Sequence, residues 1–172
     1  MLIFDAAGGD GRTLTTGGRF ELVLDGVMGG RSSGALSVTE RAGRRALCLS
    51  GEVRTENRGG FVQMATDWAV DASPFAHLRL TVLGNDEAYG CHLKTADALR
   101  PWQSYRQAFV APPIWTEIDL PLAGFRPHRL EAPFDPSSVR RLGLVAIGRP
   151  FTADLALARV ELVPRSPGGA PS

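Results

Sequence analysis

Apolar residues in this chain alternate with polar ones in short runs, and clusters of Gly, Pro, Asn and Asp separate the runs. Residues 2–5, 20–25, 35–39, 46–53, 61–66, 77–83, 88–95, 104–110, 116–120, 141–147 and 155–163 read as strands. Within them Leu47, Leu49 and Val53 share one parity, as do Leu78, Leu80 and Val82, and period-two spacing sends one side of each strand into a core. Helical periodicity is nearly absent. The turns between runs carry their own chemistry, as in Gly8-Gly9-Asp10-Gly11, Gly84-Asn85-Asp86 and Ala111-Pro112-Pro113. Many short strands at this spacing predict an all-β protein, an antiparallel sandwich or barrel.

A chain of 172 residues suits one such domain, and at that size folding hides roughly 70% of the unfolded surface without disulfide staples. The domain is expected over residues 1–163, with a Pro-, Gly- and Ser-rich tail at 164–172 expected to be disordered. Residues 121–138, rich in proline and short on alternation, read as a long surface loop pinned by Phe125 and Phe134. Cys48 and Cys91 each sit in an apolar run and read as buried free thiols. The first residues lack the basic and apolar regions of a signal peptide, and no segment reaches a membrane span of about 20 apolar residues. A cytoplasmic protein without membrane insertion is therefore expected. The net charge is +1, and the basic residues are arginines except for Lys94. Scattered along the sequence, they give no clustered footprint for nucleic acid.

The least ordinary stretch is Asp25-Gly26-Val27-Met28-Gly29-Gly30-Arg31-Ser32-Ser33-Gly34. Each glycine in an ordered segment costs roughly 0.5 to 1 kcal/mol relative to alanine, so such a cluster implies positive φ angles or a surface pressed against bare backbone. Two readings stand side by side. In one, this is a tight turn whose Asp25 carboxylate and Ser32 and Ser33 hydroxyls satisfy local backbone amides. In the other, the loop meets a partner, with Met28 as an adaptable contact. A phosphate cradle is excluded because no helix follows and no Gly-Lys-Ser/Thr is present. A second turn, with Arg54, Glu56, Asn57, Arg58, Gly59 and Gly60, reads either as a solvated hairpin tip or as part of the same contact.

Of the aromatics, Tyr89 and Trp115 fit core positions, Trp102 in its loop is expected to be exposed, and Trp102 with Tyr105 are candidates for a ligand-facing pair. His77, His92 and His128 have no ligand spacing, so the residues themselves predict no metal site. Cys91 and His92 are strand neighbours that point to opposite faces. No nucleophile motif is present and Asp86-Glu87 sits in a polar turn, so no enzymatic activity is expected.

The motif Asp25-Gly26-Val27-Met28-Gly29-Gly30-x-Ser32-Ser33-Gly34, with Gly51-Glu52-Val53 and Glu56-Asn57-Arg58-Gly59-Gly60-Phe61, resembles the complex I intermediate-associated protein 30 family. Gly84-Asn85-Asp86 with Tyr89, Tyr105 with Phe109, residues 115–121, Phe125 and Leu142-Gly143 extend the resemblance over most of the chain. It implies a jelly roll of the galactose-binding-domain type, with no cofactor other than the structural calcium that relatives of the fold often hold on Asp side chains and loop carbonyls. It also implies a non-enzymatic assembly factor, peripheral to the inner membrane at most, whose partner is a complex I subunit or another assembly factor. The partner-binding residues it suggests are Asp25, Gly26, Met28, Gly29, Gly30, Arg31, Ser32, Ser33, Arg58, Gly59 and Gly60. The alternative on the same fold is a carbohydrate-binding module.

Overall fold

The computed structural model describes residues 1–25, 32–56 and 60–166. It is built of β-strands: β1 (Leu2–Asp5), β2 (Glu21–Leu24), β3 (Ser33–Arg41), β4 (Arg44–Val53), β5 (Phe61–Val70) and β6 (Phe75–Leu83) come first. They are followed by β7 (Ala88–Thr95), β8 (Ser104–Val110), β9 (Thr116–Pro121), β10 (Arg126–His128), β11 (Val139–Ile147) and β12 (Phe151–Pro164). Two six-stranded antiparallel sheets result. The first runs β3-β4-β12-β6-β9, with β1 also paired to β12, and the second runs β10-β8-β7-β11-β5-β2. Chain neighbours such as β6 and β7 fall in different sheets, as in a jelly roll rather than a meander.

The alternation seen in the sequence becomes the core. Leu47, Leu49 and Val53 from β4, with Leu78, Leu80 and Val82 from β6, face Val62, Met64 and Trp68 from β5 and Tyr89, Cys91 and Leu93 from β7. A small second cluster lies on the far side of the first sheet. There Ala46, Cys48, Leu83 and Ala156 are covered by Trp115, whose Nε1 donates to the carbonyl of Arg41 at 3.0 Å. Both cysteines are free and buried.

Two expectations are corrected. The stretch 121–138 contains β10, three residues that pair with β8 through Arg126↔Arg106, Pro127↔Tyr105 and His128↔Ser104. Alternation cannot reveal so short a strand with a proline at its centre. The Phe125 and Phe134 rings lie 5.4 Å apart and do pin this segment. The tail was expected to begin at Pro164, but Pro164 closes β12 opposite Phe75. Residues 167–172 lie outside the described residues.

Glycine decides how closely the layers meet. Gly34 on β3 and Gly51 on β4 are cross-strand partners. A methyl group at Gly51 would strike the carbonyl oxygen of Ser33 and the Cα of Gly34, and one at Gly34 would meet Val62 Cγ1 at 2.8 Å in the opposite sheet. Part of what presses on the glycine-rich stretch is therefore the protein itself. Gly51→Ala should cost about 1–3 kcal/mol by overpacking against backbone that cannot yield, whereas Gly8→Ala, with its nearest atom at 3.7 Å, should be close to neutral. Urea unfolding of the two variants measures the difference.

Candidate functional site: a rim clamped by Asp25

Asp25 is fully buried at the end of β2, yet its charge is satisfied by four hydrogen bonds. Its Oδ1 accepts from the backbone N–H of Ser32 at 3.0 Å. Its Oδ2 accepts from the Ser32 hydroxyl at 2.6 Å, the Gly60 N–H at 2.6 Å and the Phe61 N–H at 3.2 Å. Ser32 passes the tie onward, because its Oγ accepts the N–H of Arg54 at 2.9 Å. One carboxylate thus joins the closing flank of the glycine loop to both flanks of the β4–β5 turn. The two motifs, whose clamp partners Asp25 and Gly60 are 35 residues apart in sequence, meet at one rim of the sandwich.

The charge follows from this cradle. Burial alone, the largest influence, would raise the Asp25 pKa, but the bonds from Ser32, Gly60 and Phe61 together outweigh it and hold the carboxyl below its ordinary value. Of the two readings of Asp25, the structure supports the first: the side chain is sequestered by its own chain and presents nothing to a partner. Ser32 is likewise committed. Ser33 begins β3 with an exposed side chain, and Gly60, buried with φ +140, belongs to the clamp. Gly26, Met28, Gly29, Gly30, Arg31, Arg58 and Gly59 lie outside the described residues.

Beside the clamp is a cleft of about 460 Å³ lined by Glu52, Val53, Arg54, Thr55 and Glu56 from one side and by Pro150, Phe151 and Thr152 from the other. Its rims are held by the Thr152 hydroxyl donating to Glu52 at 2.7 Å and by an Arg54–Glu56 ion pair at 2.8 Å. Arg149 stacks 4.0 Å over the Phe151 ring and pairs with Glu87. Sequence reasoning missed the 150–152 wall, because only the β12–β4 pairing Phe151↔Val53 brings it here.

The aromatic pair is not a pair. Trp102 is 51% exposed as expected, but Tyr105 is fully buried and its hydroxyl donates to the carbonyl of Ala132 at 2.8 Å. Tyr105 shares the parity of Phe109, so it points into the core and stacks with Phe134. The Asn85–Tyr89 motif is also internal: the Tyr89 hydroxyl donates to Asn85 Oδ1 at 2.6 Å and accepts the Asp154 N–H at 2.9 Å, which ties the β6–β7 turn to β12. Among the described residues, no group of three or more His, Cys, Asp or Glu is placed to hold a metal ion. No helix of the described residues is long and apolar enough to cross a membrane.

Asp25→Asn keeps the shape but sets an amide against buried donors, and should cost about 3 kcal/mol, since bonds to a charged acceptor are each worth roughly 1.5–3. The sign with pH follows from the depressed pKa. The stabilisation is present above the ordinary value of 3.8 and is lost as pH falls through the lower folded value. Wild-type stability should therefore drop more steeply than that of Asp25→Asn below that pH, as read by thermal melts across the acid range.

Comparison with known proteins accords with this architecture. No curated protein matches the chain. The family 11 carbohydrate-binding module from Clostridium thermocellum, solved with a β-1,3-1,4-mixed-linked tetrasaccharide, superposes with a TM-score of 0.71 at 8% identity, covering 95% of each chain. The family 30 module of a cellulosomal cellulase of Clostridium thermocellum gives a TM-score of 0.52 at 17% identity, covering 77% of this chain and 91% of that one. At such identities the likeness is one of fold, and it is the expected jelly roll. The sequence pattern described as Complex I intermediate-associated protein 30 (CIA30) matches residues 12–157, which include both clamped turns, and the chain belongs to that family.

Proposed function

We propose that this protein is a non-enzymatic protein-binding module that engages an assembly intermediate of respiratory complex I through the rim organised by Asp25. The observation that carries the reading is the clamp itself. Two family motifs are joined through one buried carboxylate, and a fold needs such a tie where a surface rich in backbone must keep one shape. Preorganisation of this kind lowers the ordering cost of binding. Met28, Arg31 and Arg58 supply the side-chain contacts, one adaptable and two polar. The adjoining cleft, flanked by Glu52, Arg54 and Glu56, receives a polar side chain of the partner. No part of this action calls for a cofactor or a catalytic group.

The second reading, a carbohydrate-binding module, draws on the names of the solved structures that share the fold. Against it stands the aromatic inventory: Trp102 is the one strongly exposed ring among the large hydrophobics of the described residues, and one indole makes a poor platform for stacked sugars.

A pull-down from detergent-solubilised native membranes should recover complex I subunits with the wild type. Met28→Ala combined with Arg58→Ala should reduce that recovery about tenfold, the effect of losing roughly 1.4 kcal/mol at an interface. Failure of the wild type to recover any subunit, or equal recovery by the double variant, sinks the reading. Calorimetric titration with the mixed-linked tetrasaccharide separates the rival, which requires heat of binding abolished by Trp102→Ala.

A further inference from the structure

The outer face of the second sheet holds a group of cations, Lys94, Arg106 and Arg126, that form no ion pair among the described residues. On β7 the residues alternate between Tyr89, Cys91 and Leu93 in the core and Gly90, His92 and Lys94 on the opposite face. Across the sheet His92 pairs with Arg106 on β8, which pairs with Arg126 on β10, so the three share a row and a side. His128 lies one step along the same face, opposite Ser104. Directly paired residues stand about 5 Å apart at Cβ.

The cations of this group are Lys94, Arg106 and Arg126, with His92 held neutral among them, and their partners are neutral oxygens. Lys94 Nζ donates to the carbonyl of Pro101 at 2.8 Å, Arg106 Nε to the Ser104 hydroxyl at 2.9 Å, and Arg126 to the carbonyl of Ala123 at 2.7 Å. Elsewhere arginines find carboxylates: Arg41 with Asp154, Arg79 with Asp119 and, on β11 directly opposite Lys94, Arg141 with Asp67. Among the described residues no carboxylate lies within ion-pair distance of Lys94, Arg106 or Arg126. Lys94 and Arg106 are only partly exposed. Burial, then the neighbouring cations, pushes the Lys94 and Arg106 pKa values down, and burial together with Arg106, His128 and Lys94 brings His92 to about 3. A like-charged group this close is unfavourable to the fold, and an anion set among it relieves the repulsion.

The floor beneath has little side chain. Gly90 lies under the His92 ring and Gly143, the partner of His92 on β11, lies under the amide of Gln63, so a ligand that moved those two flexible side chains would meet bare backbone. No Phe, Tyr or Trp projects from β7, β8, β10 or β11 on this face. The exposed Trp102 sits at its end, next to the Pro101 carbonyl that holds Lys94. A cationic trough without stacking rings, but with one indole at its margin, suits an extended acidic chain anchored by a single apolar contact better than it suits a sugar.

We propose that the outer face of the second sheet docks a carboxylate-rich segment of a partner polypeptide across Lys94, Arg106 and Arg126, with Trp102 as its apolar anchor. The inference rests on the protein-binding reading but uses a different surface from the Asp25 rim, so the pull-down above and the titration below fail independently.

The probe is a fluorescently labelled oligoglutamate peptide titrated into the full chain. It should bind, shift the backbone amide signals of Gly90 and Gly143 in NMR spectra of the wild type, and weaken as salt is raised. Lys94→Gln with Arg106→Gln should weaken binding about tenfold or more, as should Arg126→Gln in part, since buried-face cations contribute more than rim charges. Arg19→Gln, which loses only its exposed partner Asp10, should leave binding unchanged. No binding, shifts elsewhere than on this face, or equal affinity in the double variant would overturn the proposal. Polygalacturonate binding there as tightly as the peptide would overturn the polypeptide assignment in favour of an acidic glycan.

Discussion

The rim of this sandwich depends on a carboxylate that no solvent reaches. An ionised group in such a place is unfavourable unless its lone pairs are filled, and here the amide and hydroxyl of Ser32 and the amides of Gly60 and Phe61 fill them. The same bonds that make the burial of Asp25 tolerable fix the spacing of the two turns that flank it. Fold stability and the shape of the proposed docking rim are thus one interaction seen from two sides. A substitution there would act on binding through structure, which makes Asp25 a positioning residue rather than a contact.

Glycine supports this arrangement where the layers come closest. Gly34 and Gly51 face one another across β3 and β4, with Val62 of the opposite sheet against Gly34. The two sheets can approach at the clamp because no Cβ stands between them. On the other face of the second sheet Gly90 and Gly143 keep the surface low in a similar way, while Lys94, Arg106 and Arg126 surround it. The two surfaces differ in kind: among the described residues of the rim, Asp25, Glu52, Arg54 and Glu56 find partners within the chain, and on the sheet face Lys94, Arg106 and Arg126 find no carboxylate.

That contrast bears on the likeness to carbohydrate-binding modules. The jelly roll provides an open sheet face and a set of turns at its rim, and either can be turned to recognition. In this chain two candidate rings are inside: Tyr89 binds Asn85 and the β12 backbone, and Tyr105 binds the carbonyl of Ala132. The shared backbone and the divergent side chains are compatible because alternation fixes which residues face out, not what they are.

The all-β character is legible in the residues alone, because strand alternation and turn residues are local properties, and β1, β7 and β8 begin and end where the pattern does. It also marked the two glycine-rich turns, since their composition is costly wherever they fold. Adjacency, by contrast, exists only in the folded chain. β10 escaped detection because three residues with a central proline have no period, and the cleft wall at Pro150 to Thr152 because it arrives from across the sheet. Tyr105 was misassigned because a ring in an alternating strand fits either face until its neighbours are known. The basic residues look scattered along the chain, and strand pairing between distant segments gathers Lys94, Arg106 and Arg126 onto one face. Charge density belongs to surfaces, and a surface exists only once the chain has closed on itself.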